Sequence, residues 1–405
     1  MTNVTVLQES KQENGISQEV LLNLGPQHPS THGVLRLILQ LDGEIVKRTE
    51  PFIGYLHRGT EKLCEHFTYT QIFPLTDRLD YVCPPSNNLG FAMAVERLLG
   101  IEAPERSQYI RVIMTELARI SGHLLIVGAL PVDLGAMTVL LYVMREREMV
   151  MDLMEMISGA RMHTSYIRIG GVREDLPEGA VERIREFCDI LPKRLFDYER
   201  LVAKNRMFLQ RTKDVGVIAP KDAIDMGLSG PNLRASGVDW DIRRDCPYEI
   251  YDRVEFNVIT RETGDCYGRW ICRIDEMRES VRIIEQCLEQ MPDGLFQVDM
   301  PTIAFPVDKD QLACSMETHI HHFELSAYGF KVPKGEVYTA IEAPKGELGY
   351  YIISDGSEKP FRVKVRAPSF VNLQVLEGKI GNMKYLADLI AVLGSLDPVI
   401  AEVDK

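Results

Sequence analysis

The sequence predicts an α+β fold in which a central helical bundle is flanked by a small N-terminal antiparallel sheet and a C-terminal β-rich region. Apolar and polar residues alternate over 18–51, apolar residues recur at helical spacing over much of 60–206, and β-branched runs with turn signals return after 331. These patterns divide the 405 residues into successive segments. We expect a flexible tail (1–18), an N-terminal β region (19–59), a helical bundle (60–206), a mixed helical and loop region (207–330), and a C-terminal β-rich region with a last helix (331–405).

The N-terminal sheet is predicted from two alternating runs, VLLNLG and VLRLILQLDGEIVKRTEPF. Asp42 and Gly43 interrupt the second run, and an Asp-Gly pair between alternating segments favours a tight hairpin. The segment GPQHPSTHG, residues 25–33, therefore falls in the loop before the central strand.

The bundle is predicted from helical stripes with proline boundaries. Pro104 suits the first turn of a long helix, and Pro131 is expected to break that helix near Leu130. Further helices are predicted at about 137–157 and 178–206, with YIRIGGV between them as a strand or extended loop. The apolar stripe of the first helix consists of Ile110, Ile113, Met114, Leu117, Ile120 and Leu124.

Residues 120–144 are long and apolar enough to raise the question of a membrane span. Asp133 and Pro131 lie in the middle of this stretch, and a central carboxylate is costly in lipid. We therefore expect a buried, broken helical segment of a soluble protein.

The C-terminal part begins after a helix predicted at 268–291. Turn signals at 344–346 and at Asp355-Gly356 separate β-rich runs, and a last helix is predicted at about 384–394.

Composition excludes several function classes. The net charge of −13 argues against nucleic-acid binding, which needs a basic face. The sequence contains neither a Gly-rich phosphate loop nor a Gly-x-Ser-x-Gly elbow, so dinucleotide binding and serine hydrolysis are disfavoured. The eight cysteines form no Cys-x-x-Cys pair and are expected to be buried thiols.

Histidines suggest two candidate sites. His28 and His32 lie four residues apart, but Pro29 between them excludes a regular helix, so a polar turn is an alternative to a site. Gly33 and the strand after it would let the loop project His32 from the sheet edge into a cleft. The second group, His319, His321 and His322, lacks a convincing set of further metal ligands.

Asp133 and Tyr81 are the other candidates, each with a structural alternative. A desolvated Asp133 needs a partner or a raised pKa, and a histidine is a natural partner, but the residue is equally placed to cap the next helix. Tyr81 could donate a hydrogen bond or a proton to a carbonyl oxygen, or it could be a packed core tyrosine.

Nine motifs, in order along 20–405, resemble the 49-kDa-type subunit of proton-pumping NADH:quinone oxidoreductase, respiratory complex I, which is related to the nickel–iron hydrogenase large subunit. They are GPQHPSTHGVLR, GYLHRGTEK, RVIMTELARISGHL, MREREMV, YIRIGGV, LRASGV, KGELGYYIISDG, RVKVRAPSFVNLQ and SLDPV with EVDK.

The hydrogenase pattern has two pairs of cysteines around its metals, R-x-C-G-x-C and D-P-C-x-x-C. The corresponding stretches here are RLDYVC (78–83) and DPVIAE (397–402), so only Cys83 remains of four thiolates. A single thiol cannot hold such a cluster, which favours the quinone-reducing branch of the family and a chain that binds no metal or other cofactor itself.

The resemblance implies a role for each site residue. His32 and Tyr81 would bind the two quinone oxygens, Asp133 would pair with His32, and these three would be the catalytic residues. Arg78 and His163 would lie near a 4Fe-4S cluster in the adjacent small subunit.

The resemblance implies that the chain is the quinone-site subunit of a membrane-associated NADH:quinone oxidoreductase. It would pass electrons from the partner's cluster to ubiquinone or menaquinone, coupled to proton translocation, and would be inactive alone. Its partners would be the small iron–sulfur subunit, other peripheral-arm subunits and a membrane-arm subunit, at the cytoplasmic face of the bacterial inner membrane. The alternatives are a hydrogenase-type metalloenzyme large subunit and a non-catalytic scaffold subunit.

Overall fold

The computed structural model describes residues 4–12, 15–31, 33–300, 302–304, 309–378 and 383–405. Within these ranges, antiparallel sheets lie towards both ends of the chain and helices occupy most of the sequence between them. The predicted α+β class is therefore confirmed.

Four strands form the N-terminal sheet, each antiparallel to the next in chain order. They are β1 (Val4–Gln12), β2 (Gly15–Leu24), β3 (Arg36–Asp42) and β4 (Ile45–Phe52). Leu37, Leu39 and Leu41 of β3 are buried and alternate with more accessible residues, as a strand with one buried face requires. Asp42 pairs with Ile45 across a two-residue loop, which confirms the predicted hairpin.

The hairpin of β1 and β2 begins within the segment predicted to be a flexible tail. Backbone pairing joins the two strands from Val4↔Leu22 to Gln12↔Gly15. Polar composition concealed this hairpin because strand pairing uses backbone groups, which every residue except proline has in full. Residues 4–12 and 15–18 therefore belong to paired strands and not to a free tail. The boundaries predicted between the other segments of the chain stay predictions.

The first half of the bundle follows the predicted order of helices. Its helices are α1 (Thr60–Cys64), α2 (Phe73–Thr76), α3 (Pro84–Leu99), α4 (Glu105–Asp133), α5 (Met137–Ser158) and α6 (Ala180–Tyr198). The YIRIGGV segment forms a short ribbon of β5 (Ile167–Arg168) and β6 (Gly171–Val172). A π-helical turn, Glu199–Ala203, continues α6.

The mixed region and the C-terminal part complete the chain. The mixed region contains α7 (Arg206–Thr212), α8 (Pro220–Asp225), α9 (Pro231–Arg234), α10 (Ile242–Asp245), α11 (Cys266–Gln290), α12 (Lys309–Cys314) and α13 (Met316–Ala327). The C-terminal sheet consists of β7 (Gly335–Ala343), β8 (Gly346–Ser354) and β9 (Arg362–Arg366), in that order. The last helices are α14 (Pro368–Leu373), α15 (Leu386–Leu396) and α16 (Ile400–Val403).

Helix α4 is the central helix of the bundle and packs against α3, α5, α11 and α15. By length and composition it could cross a membrane, but 89% of its most apolar stretch is buried by the rest of the protein. Its apolar surface is therefore satisfied by helix packing, as expected for a core helix of this length.

Pro131 does not end α4 at Leu130, as the sequence predicted, because the helix continues to Asp133. A proline removes one backbone N–H, which leaves the carbonyl four residues earlier without its helical donor. That carbonyl belongs to Val127, and the indole N–H of the buried Trp270 donates to it at 3.1 Å. The side chain from α11 thus supplies the missing hydrogen bond.

The hairpin between β7 and β8 brings a charged residue into the interior. Ala343 pairs with Gly346, so Pro344 and Lys345 form the tip, which confirms the predicted turn. The tip packs closely on the chain near Gly230, where an added Cβ would lie 2.5 Å from the Cα of Gly346. Lys345 is consequently buried, with only 2% of its surface exposed.

Candidate quinone site

Tyr81 lies in the turn before α3 and is 39% exposed. Its hydroxyl makes no hydrogen bond to any residue that the structure describes. Partial burial, followed by the charge of Asp80, raises the pKa of Tyr81, so the phenol keeps its proton at neutral pH. The hydroxyl is therefore a hydrogen-bond donor available to a ligand.

The ring of Tyr81 lines a narrow cleft between its own turn, α4 and α5. Ser121 Oγ and Arg147 Nε at this cleft have no hydrogen-bond partner within the described parts of the chain. The apolar lining consists of Val82, Pro84, Pro85, Ala118, Val150, Met151, Met154 and Met162. The cleft has a free volume of about 10 Å³, room for about one water molecule, so a quinone ring would enter it only if its walls moved apart.

A buried charge cluster lies beside Tyr81. Lys345 Nζ is 3.1 Å from Asp80 Oδ2 and 3.8 Å from Asp397 Oδ2. Burial lowers the pKa of Lys345, but Asp397 and Asp80 outweigh it and raise that pKa well above its usual value. Glu402 accepts a hydrogen bond from Ser369 Oγ at 2.5 Å, while burial and the charge of Asp80 raise the pKa of Glu402 to about 7.

Two residues of this cluster, Asp80 and Glu402, stand at sequence positions where the hydrogenase pattern has cysteines. The one remaining cysteine, Cys83, is fully buried, and its thiol donates to the carbonyl oxygen of Ala118 at 3.2 Å. Burial and Asp80 raise the pKa of the Cys83 thiol, so it stays protonated and is a poor metal ligand. Gly122 faces the sulfur so closely that an added Cβ would lie 2.6 Å from it.

Arg78 and His163 both lie near the buried carboxylate of Asp77. Ser165 Oγ and Asn88 Nδ2 donate hydrogen bonds to that carboxylate. Burial raises the pKa of Asp77, and Ser165, Asn88, His163 and Arg78 oppose the rise. The structure thus brings the two residues predicted to be cluster-proximal to one side of α3, with Arg78 exposed and the Nδ1 atom of His163 buried.

Asp133 is the last residue of α4 and is partly buried. Its carboxylate makes no hydrogen bond with the residues described, and burial raises its pKa to about 6. The alternative that Asp133 caps the next helix is wrong, because Ala136 is the N-cap of α5. Asp133 lies twelve residues beyond Ser121 on α4, about 18 Å along the helix at the usual rise. The structure therefore does not bring Asp133 into contact with Tyr81.

The 25–33 loop reaches α15, the helix that also contacts Asp133. A short 3-10 helix, Pro29–Thr31, packs on α15, and a Cβ added to Gly394 of α15 would lie 3.3 Å from Asp133 Oδ2. His28 Nδ1 accepts a hydrogen bond from the backbone of Ser30 at 3.2 Å, which gives His28 a structural role in the turn. His32 lies outside the described residues, so its pairing with Asp133 stays a prediction.

Among the residues that the structure describes, the histidines of α13 do not converge with other metal ligands. His321 Nδ1 is 4.0 Å from Glu324 Oε2, and both side chains are exposed. Across the described ranges, no three histidine, cysteine, aspartate or glutamate side chains converge as metal ligands would.

Lys345 is the site residue that sequence reasoning missed. It lies in a Pro-Lys-Gly turn, and lysines in such turns are normally exposed. Only the tertiary contact between the hairpin tip and Asp80, 265 residues away, shows its role.

Comparison with known proteins decides the family. Residues 133–405 match the model of the family described as the 49 Kd subunit of respiratory-chain NADH dehydrogenase. The chain belongs to this family. It is 77% identical, over all 405 residues and the whole of the relative, to a protein of Rhizobium etli that is named as a subunit of NADH-quinone oxidoreductase. It is 54% identical to an NADH-quinone oxidoreductase subunit of Geotalea uraniireducens, over 96% of this chain and all of the relative.

Membership of the 49-kDa subunit family confirms the resemblance seen in the motifs. It makes the chain one subunit of a larger oxidoreductase rather than a complete enzyme.

Proposed function

We propose that this chain is the quinone-site subunit of a membrane-associated NADH:quinone oxidoreductase. The observation that supports it most is the Tyr81 side chain, which is 39% exposed, keeps its phenol proton, lines a small cleft and lies near the Lys345 cluster. The relatives named as subunits of NADH-quinone oxidoreductase agree with this role. The substrate would be ubiquinone or menaquinone.

Reduction of a quinone consumes two electrons and two protons and gives a quinol. The electrons would come from a 4Fe-4S cluster in the adjacent small subunit. Tyr81 would hold one quinone oxygen and donate a proton to it, and Lys345 beside it would stabilise the phenolate left behind. His32 would serve the other oxygen, with Asp133 stabilising its protonated form.

Loss of these protons would change the charge that His32 and Asp133 share. Burial raises the pKa of Asp133 to about 6, and its carboxylate makes no hydrogen bond to a described residue, so its ionisation can respond to such a change. The 25–33 loop would rearrange on α15, and that movement would couple reduction to proton translocation.

Arg78 and His163 would tune the potential of the partner's cluster. A guanidinium and an imidazole close to a cluster raise its potential by charge and by hydrogen bonding. The exposed position of Arg78 leaves it accessible to a neighbouring subunit.

The remaining partners would be other peripheral-arm subunits and a membrane-arm subunit. Among the described residues, the one helix with the length and composition of a span is mostly buried within this chain, so membrane association would come through those partners. The complex would lie at the cytoplasmic face of the bacterial inner membrane.

The test uses His32→Ala and Asp133→Asn in membranes that contain the whole complex. We expect both variants to lose most NADH:quinone reductase activity while NADH oxidation by an artificial acceptor, which takes electrons before the quinone, is unchanged. His28→Ala is the matched control and should retain more activity. Unchanged quinone reduction in both variants would contradict the proton-donor role and favour a scaffold subunit.

A further inference from the structure

The segment 193–213, from the second half of α6 to the residue after α7, is strongly basic although the chain as a whole is acidic. It contains seven basic and two acidic side chains, whereas the whole chain has a net charge of −13. Five of the basic side chains are exposed and make no ion pair or hydrogen bond with the parts of the chain that the structure describes. They are Lys193, Arg200, Lys204, Arg206 and Lys213. Such a concentration of unpaired cations attracts an anionic partner.

Large apolar side chains are exposed among these cations. Phe196 lies three residues after Lys193 and four before Arg200, so the three side chains share one face of the helix. Six apolar or aromatic side chains of α5, α6 and α7 are between 44% and 71% exposed: Met137, Leu141, Tyr142, Phe196, Leu201 and Met207. Exposed apolar groups that are rimmed by charged residues are typical of a contact with another molecule.

A surface pocket of about 350 Å³ joins α5 to the end of α6. Its lining includes two side chains of α5, Tyr142 and Arg145, and faces them with Arg194, Arg200 and Leu201. A hydrogen bond from the Tyr198 hydroxyl to the carbonyl of Tyr142, at 3.3 Å, ties the two helices together here. The pocket is therefore formed by packed helices and not by a loop.

The buried carboxylate of Glu146 holds two guanidinium groups of this pocket. Arg145 Nε donates to Glu146 Oε1 at 2.8 Å, and Arg194 Nε lies 3.5 Å from the same oxygen. The side chains of Arg145 and Arg194 are still 51% and 41% exposed. A guanidinium that is already held in place loses less conformational freedom when it pairs with a carboxylate of a partner.

We propose that this α5–α6 surface, made of the pocket, the exposed apolar residues and the unpaired cations, binds an acidic segment of a neighbouring subunit of the oxidoreductase. An apolar or aromatic side chain of that segment would enter the pocket, and its carboxylates would pair with Arg194, Arg200 and Lys204. The proposal needs only the membership of the chain in a multi-subunit enzyme and is independent of the quinone-site role.

The composition and shape of the surface favour a polypeptide over a lipid layer. Arginine, methionine and aromatic residues are the types enriched in protein interfaces. A pocket between two helices suits a protruding side chain, as at the centre of such interfaces, better than a flat layer of lipid headgroups.

Carbodiimide cross-linking of membranes that contain the whole complex tests the proposal. The reagent joins a lysine amine to a carboxylate that touches it, takes up the water that is released and leaves no spacer. We expect mass spectrometry to find Lys193 or Lys204 linked to an aspartate or glutamate of one other subunit. Lys204→Arg should remove the link at that position and leave the complex intact, because arginine keeps the charge. The ion pair of Lys47 and Glu19, 3.0 Å apart, should link in every sample and shows that the reaction has worked.

Charge reversal at Arg200 measures how much the surface contributes to binding. In the detergent-solubilised complex at low ionic strength, Arg200→Glu should dissociate roughly fivefold faster than wild type on native gels. Arg185→Glu is the matched control and should behave as wild type. Arg185 is also exposed on α6 and makes no ion pair with the described residues, but it lies outside the segment 193–213. Both full-length variants should keep the wild-type Tm.

Absence of any link from Lys193 or Lys204 to another subunit would overturn the proposal, as would a wild-type dissociation rate for Arg200→Glu. Flotation of the purified chain with vesicles of phosphatidylcholine and phosphatidylglycerol tests the lipid alternative. Binding that Arg200→Glu abolishes, without a link to another subunit, would assign the surface to anionic lipid instead.

Discussion

Replacement of Lys345 by methionine tests the buried charge cluster beside Tyr81. The change removes the ammonium group but keeps most of the side-chain volume. Asp80 and Asp397 would then remain buried without a cation at 3.1 and 3.8 Å. A unit pair at such a distance attracts by about 4 kcal/mol at an effective dielectric constant of about 20. Breaking a buried ion pair typically costs about 3–5 kcal/mol, and we expect that loss in the free energy of unfolding at pH 8.

The loss should shrink in acid. Without the cation, burial favours the neutral, protonated form of these carboxyl groups in the folded variant. The folded variant then binds more protons than the unfolded one, so its stability decreases as the pH rises. The difference between wild type and variant should therefore be smaller at pH 5 than at pH 8.

Urea unfolding followed by tryptophan fluorescence measures this effect, because Trp270 is buried in the core. Lys331→Met is the control, since Lys331 is 75% exposed and pairs with Glu358 only at 3.8 Å. The control should lose less than about 1 kcal/mol. A loss of under about 1 kcal/mol for Lys345→Met, or one that is independent of pH, would refute the reasoning.

Three further substitutions test other parts of the account. Glu402 has a folded pKa of about 7, above the value of about 4.5 for an unfolded glutamate. The free energy of unfolding should therefore decrease as the pH rises from about 4.5 to 7, and Glu402→Gln should flatten that part of the curve. Trp270→Phe should cost about 1–3 kcal/mol in urea unfolding, because it leaves the Val127 carbonyl without a donor; no loss would show that the bond is dispensable. Gly122→Ala should lower the Tm by overpacking against the Cys83 sulfur, and Cys83→Ala in the same chain should restore it; a Tm that the second change fails to restore would contradict this contact.

Features encoded by local chemistry could be predicted from the sequence. The hairpin at Asp42-Gly43 and the turn at 344–346 follow from the residues that turns require, and the bounds of α5 follow from helical periodicity. The continuation of α4 past Pro131 could not be predicted, because the donor that permits it comes from Trp270, 139 residues further along the chain.

The residues of the candidate site also fall into those that sequence motifs indicate and those that only the tertiary structure shows. The motifs could nominate Tyr81, Arg78 and His163 as candidates, and their roles stay predictions. The burial of Lys345 depends on how a hairpin tip packs against a distant turn. A capping role for Asp133 could be considered because the sequence does not show where α4 ends. In the structure, three residues lie between Asp133 and the start of α5, so Asp133 is too far from α5 to cap it.

The most direct test of the quinone-site proposal is the rate of quinone reduction by Tyr81→Phe in membranes that contain the complex. Phenylalanine keeps the ring in the cleft and removes only the hydroxyl. We expect the rate to fall by roughly 10²-fold or more, as for loss of a proton donor. NADH oxidation by an artificial acceptor should be unchanged, and Tyr328→Phe, at an exposed tyrosine, should behave as wild type. A quinone reductase rate equal to wild type in Tyr81→Phe would contradict the proposal that this hydroxyl binds and protonates the quinone.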